Sequence, residues 1–122
     1  MNLETQTHLT ALRKQLEWRI HELQTELHAQ AMEREKTMEP SGVTDRKDEA
    51  DAWQRADIDA QGERLELEEL QRCEHALHRL DLGIYGDCCD CHEPIALQRL
   101  FVQPEAERCA ACQSAHEARL HG

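Results

Sequence analysis

Two cysteine pairs constrain this chain more than any other feature. Cys88 and Cys91 form one C-x-x-C pair, Cys109 and Cys112 a second, and seventeen residues lie between them. Each such turn presents two sulfurs to one ion, and the loop between brings the second pair round to complete a tetrahedron. Thiolates are soft donors that suit Zn2+. Four of them fill the coordination sphere and leave no position for a reactive water, so one structural zinc is expected rather than a catalytic one. The competing arrangement is a pair of disulfides. Metal-like spacing argues against it, as does a Met1–Thr10 stretch that holds Glu4 and no apolar signal region; a cytoplasmic chain with reduced thiols is expected. His92 and His116 lie nearby, but four cysteines already suffice. Cys89 adjoins Cys88, yet a C-x-C pair with Cys91 is the poorer match, so Cys88 is the expected ligand. Cys73 and Cys89 are then extra thiols: Cys73 a small apolar residue on a helix seam, Cys89 exposed and oxidisable.

The cysteine-bearing part is only about 40 residues long, a size that needs a staple. Zinc is the staple, and folding there should be coupled to metal binding. The rest of the chain reads as helix. Aromatic residues are limited to Trp18, Trp53, Tyr85 and Phe101, a supply better suited to narrow helical seams than to a large core. From Leu3 to about Met38, the residues Leu9, Leu12, Leu16, Ile20, Leu23 and Leu27 recur at helical spacing, with charges on the other faces. At ~1.5 Å per residue this helix would be about 50 Å long. Trp18 and His21 read as packing and surface residues. Pro40 and Gly42 then break the pattern.

A second helix is expected from about Lys47 to Leu80, capped by Thr44 or Asp45. Its apolar side would hold Ala56, Ala60, Leu67, Leu70, Cys73, Leu77 and Leu80, interrupted by Gly62 at a cost of roughly 1 kcal/mol. A short connection implies antiparallel pairing. Ala110 to Leu120 reads as a short helix carrying the last ligand. The expected architecture is therefore dominated by α-helix: a long antiparallel helical hairpin (coiled coil) over 1–82 with an acidic tip at 41–51, then a small four-Cys zinc finger with a C-terminal helix over 83–122.

The tip is the second place where chemistry is concentrated. Thr44 to Asp51 holds four acids in eight residues. Acids at a helix N-terminus complement its dipole, which is one sufficient reason for them. The other reading is an acidic finger in which Asp45 and Asp48 share a face and meet a basic site or a metal held by another protein.

With the tip and the cysteines together, the chain resembles the DksA/TraR family of bacterial transcription factors. The finger has Tyr85 and Gly86 just before Cys88, then Cys91, Ile95, Arg99, Pro104, Cys109 and Cys112 at the family's spacing. The family's tip motif, Asp-x-x-Asp-x-Ala, is similar to Asp45, Asp48 and Ala50 here. The resemblance covers about residues 42 to 120 in detail and the first helix in pattern only. It implies a hairpin that enters the secondary channel of RNA polymerase, with the acidic tip near the active centre and the globular part on the channel rim. It also implies modulation of initiation without catalysis and without reading DNA sequence. Asp45 and Asp48 would be the functional acids, and Ala50 the small residue that lets the tip fit. One departure concerns the nucleotide ppGpp. Where longer family members carry basic residues, this chain has Gln103 and Gln113, which leaves Arg72 as a possible nucleotide contact; weak or absent ppGpp enhancement is expected.

Charge bears on the remaining classes. With 25 acids against 14 bases the net charge is −11. Phosphate would repel such a chain, which argues against a DNA-binding zinc finger and for a basic protein partner. A zinc-stabilised coiled-coil adaptor for another protein stays open, since the Leu seam permits a dimer as well as the expected monomer. No nucleophile–base pair, phosphate loop or open metal site points to an enzyme, and no run approaches the ~20 apolar residues of a membrane helix.

Overall fold

A computed structural model describes the backbone of residues 3–37 and 46–121 and the side chains of residues 3–36 and 60–121. Among the described residues five helices follow in order: α1 (Leu3–Thr7), α2 (Leu9–Thr37), α3 (Arg46–Leu82), α4 (Leu97–Val102) and α5 (Ala110–His121). The described residues form two compact units, one of residues 1–20 with 71–122 and one of residues 21–70. Among them no helix is long and apolar enough to cross a membrane. Among the described residues the extended pairing is a single antiparallel bridge between Asp87 and Pro94.

In the first unit, α1 and the start of α2 lie antiparallel to the end of α3. Arg13 donates to Asp81 Oδ1 at 3.0 Å. Leu12 and Leu16 from α2 and Cys73, Ala76 and Leu80 from α3 are buried. The heptad-like seam of the first helix thus faces inward, because Leu at 3- and 4-residue spacing forms one stripe. The expected single helix is interrupted once, at His8, whose N–H bonds to Thr5 O at 3.1 Å, a tighter turn than α-helix makes. On α3 the inward stripe runs through Cys73, Ala76 and Leu80. Leu67, assigned to the seam by its apolar character, is instead exposed, as is Ala60. One residue along a helix rotates a side chain by about 100°, so Glu66 and Leu70 take the inward positions.

Helix α3 runs past Leu80 and stops at Gly83. Gly83 adopts φ +76°, with its N–H on Leu80 O at 3.2 Å and the Ile84 N–H on Arg79 O at 3.0 Å. These paired bonds satisfy the last carbonyls of the helix and turn the chain toward the cysteines. The core beyond is small: Tyr85, Cys88, Ile95, Leu100 and Ala106. Tyr85 is fully buried and donates from its hydroxyl to Pro104 O at 2.9 Å. Burial pushes its phenol well above the usual range, so it remains a donor throughout the physiological range.

The second unit holds the remainder of α2 and the start of α3. Gln30 Nε2 donates to Glu66 Oε1 at 3.2 Å and to Oε2 at 3.3 Å. Arg34 meets Glu63 at 2.9 Å. A step of four forward on α2 matches three backward on α3, so the pairing is antiparallel here too.

Candidate metal centre

The first cysteine turn is built by backbone. Ile95 N–H bonds to Gly86 O at 2.7 Å and Cys88 N–H to Glu93 O at 2.8 Å, which folds residues 86–95 back on themselves. His92 N–H reaches Cys88 O at 2.9 Å, and His92 sits at φ +64°. That left-handed residue closes the turn and lets the sulfurs of Cys88 and Cys91 face the same way.

The second pair sits at the start of α5. Cys109 precedes the helix and Cys112 lies in its first turn. Gln113 N–H bonds to Cys109 O at 2.9 Å. The two turns are tied together by Cys89 N–H on Glu107 O at 2.9 Å. Arg108 adds side-chain ties, donating to Asp90 Oδ2 and to Glu107 Oε1, both at 2.9 Å, while Arg99 donates to Arg108 O at 3.0 Å. Arg79 on α3 reaches Ala106 O at 3.3 Å. The bracing roles of Arg79, Arg99 and Arg108 were not legible in sequence, since an Arg in an acidic chain carries no local signal of its partner.

The result is a cluster of four sulfurs, Cys88, Cys91, Cys109 and Cys112, all within 4.8 Å of one another. Cys91 and Cys109 lie 3.9 Å apart. None of the six cysteines is disulfide-bonded. Neither His92 nor His116 belongs to the sulfur cluster. Cys89 points away, at 3.7 Å from Asp90 Oδ1, and burial, the largest influence on its thiol, pushes it up. Cys73 is buried on the α3 seam.

The protonation balance of the cluster explains why it fits a cation. Burial opposes the Cys88 thiolate, but the N–H groups of Cys91, Cys109 and Asp90 outweigh it and bring Cys88 to about 6. Cys112 is pushed up to about 12 by the hydrogen bonds that its thiol donates to its neighbours Cys109, Cys88 and Cys91. Four adjacent sulfurs cannot all be anions unaided. A soft divalent ion relieves that repulsion and takes all four as ligands. The donor set is therefore a C4 zinc-binding site.

Residues 83–118 match the family model of the prokaryotic DksA/TraR C4-type zinc finger. A solved structure of the transcription factor DksA2 from Pseudomonas aeruginosa is similar over 95% of this chain and 88% of that one, with a TM-score of 0.81 and 27% identity. The chain's finger is of the DksA/TraR C4 type, on a fold shared with that transcription factor. No curated protein matches the chain significantly in sequence. Beside the finger, Arg72 and the two glutamines singled out above come together. A cavity of about 240 Å³ is lined by Arg72, Gln103 and Gln113, with Arg99, Arg108 and His116 beside the acids Glu105 and Glu107. Of the tip residues, Asp45 lies outside the described residues. Asp48 and Ala50 fall in the first turns of α3, and their side chains lie outside those described.

Proposed function

We propose that this protein is a transcription regulator of the DksA type that binds RNA polymerase. In this reading it inserts the paired helices through the secondary channel and modulates initiation without catalysis and without sequence-specific DNA contacts. The observation that carries the reading is the four-sulfur finger on a fold shared with the transcription factor DksA2. Supporting it, the net charge of −11 suits a basic channel and disfavours a phosphate partner. Four sulfurs on one ion leave no open position for hydrolytic chemistry. The 1–82 hairpin is the inserting part and 83–122 the part that stays outside, and the protein acts as a monomer in the cytoplasm.

Within this reading, Asp45, Asp48 and Ala50 form the tip that approaches the polymerase active centre. Purified, zinc-loaded chain should bind core RNA polymerase, and a crosslinker at position 48 should label the region of the active centre. Asp48→Asn should leave folding and polymerase binding intact and reduce the effect on transcription about tenfold or more, as loss of a charge-assisted contact does. Full activity of Asp48→Asn combined with Asp45→Asn would remove the tip assignment. Absence of binding, with one zinc per chain confirmed, would favour an adaptor for another protein.

The cavity at Arg72 bears on ppGpp. Gln103 and Gln113 are neutral amides, and Glu105 and Glu107 line the same wall. A polyphosphate there meets fewer cations and two carboxylates, so little or no ppGpp enhancement is proposed. A nucleotide titration of transcription in vitro checks this: strong potentiation would contradict it.

A further inference from the structure

We infer that the part of the helix pair formed by residues 21–36 and 60–70 is a separately opening unit, held by a seam in which polar pairs interrupt a thin apolar stripe. Three observations carry this. First, fully buried apolar side chains run out along both helices. On α2 the last is Leu23, and on α3 none precedes Cys73 among the described residues. Second, beyond them polar side chains share the inward positions with the half-buried Leu27, Ala31 and Leu70. Gln30 and Glu66 are hydrogen-bonded across the pair, and Glu63, well covered, meets Arg34. The seam also leaves a penalty in place, since Gln30 Oε1 is buried with no hydrogen-bond partner. Third, Gly62 lies in the same segment of α3, with nothing within 4 Å of where a Cβ would stand. No close contact requires a glycine there, and in a helix it favours the open chain.

Together these features describe a helix pair that is cheap to open. Polar and charged contacts across a partly solvated seam contribute little, because each partner is well satisfied by water once released. An apolar seam of the same length would be buried more cooperatively. The carboxylates of Glu63 and Glu66 are also groups that a basic partner surface can capture when the internal pairing is exchanged for an external one. The device is a pairing poised near equilibrium, able to re-form against whatever surrounds it.

The test is hydrogen exchange by mass spectrometry on the full-length, zinc-loaded chain. Amides in 21–36 and 60–70 should exchange through openings that leave residues 9–20 and 71–82 protected. Replacing the polar pair with Gln30→Leu and Glu66→Leu should slow exchange in those two segments by about tenfold or more, by trading an under-satisfied polar contact for apolar burial. Gly62→Ala, which has open space for its methyl, should slow the same segments by about three- to fivefold. A single exchange rate shared with residues 9–20 and 71–82 would overturn the inference. So would unchanged exchange in Gly62→Ala, a variant that the surrounding space shows will fold.

Discussion

Stripping zinc from the protein with a strong chelator should unfold residues 83–121 and lower the melting temperature by tens of degrees. The finger has little else to hold it. Its own buried side chains are few, with Tyr85, Cys88, Ile95, Leu100 and Ala106 as the core. Helices α4 and α5 have 6 and 12 residues, at or below the length that is stable alone in water. α4 also lacks a side-chain cap. Structural zinc sites supply about 10–16 kcal/mol of apparent binding free energy, which is comparable to the whole stability of an ordinary domain. Removing it also leaves four sulfurs within 4.8 Å of one another, which must then be protonated to coexist. The loss reaches beyond the finger, because residues 1–20 and 71–82 belong to the same unit. Circular dichroism melts of metal-loaded and chelated protein, with zinc counted by elemental analysis, check this. Cys109→Ser should behave like the chelated chain, whereas Cys89→Ser, outside the cluster, should melt like the parent. An unchanged melting temperature in the chelated protein would show that the apolar contacts suffice.

The second large effect is expected at Gly86. Gly86→Ala should cost about 2–4 kcal/mol, in the range of strained-backbone and overpacked substitutions. Two independent causes add. Gly86 sits at φ +88°, where a side chain is strained by roughly 1–2 kcal/mol. Its Cβ would also stand 3.0 Å from Thr5 Cγ2, on a residue that is only 1% exposed and stiff at χ1. Leu100 Cδ1 closes the other side at 3.6 Å. The steric share can be isolated by adding Thr5→Ser, which removes the methyl and keeps the hydroxyl. The double variant should recover about half of the loss in a denaturant titration, leaving the backbone share. No recovery would mean that the α1 contact is not what Gly86 accommodates. Gly83 offers a control, because its φ is +76° but nothing lies within 4 Å of a Cβ there. Gly83→Ala should therefore cost only the backbone share of about 1–2 kcal/mol.

How far residues alone could be read differs from place to place. The four ligands were legible because metal chemistry fixes residue type and spacing together, and a C-x-x-C turn is a local object. The first helix was legible for a similar reason. Leu12, Leu16 and Leu23 recur at helical spacing, and all three are fully buried. The second helix was harder. Its apolar letters include Leu67, which is exposed, while Glu66 faces its neighbour Gln30. Periodicity cannot rank a weak apolar stripe against a polar one that finds hydrogen-bond partners 36 residues away. Helix α4 escaped notice because six residues without a cap carry no propensity signal; the buried Leu100 anchors it.

The sequence by itself thus determined the metal, the ligand set, the helical class and the direction of the charge. Each follows from short-range chemistry or from a sum over the chain. Only the tertiary structure decided which arginines brace the two cysteine turns, why glycine stands at position 86, and that Gln30 meets Glu66 across the far seam of α2 and α3. Those depend on atoms brought together across long stretches of chain, where a side chain's partner is set by packing and by the need to satisfy every buried polar group.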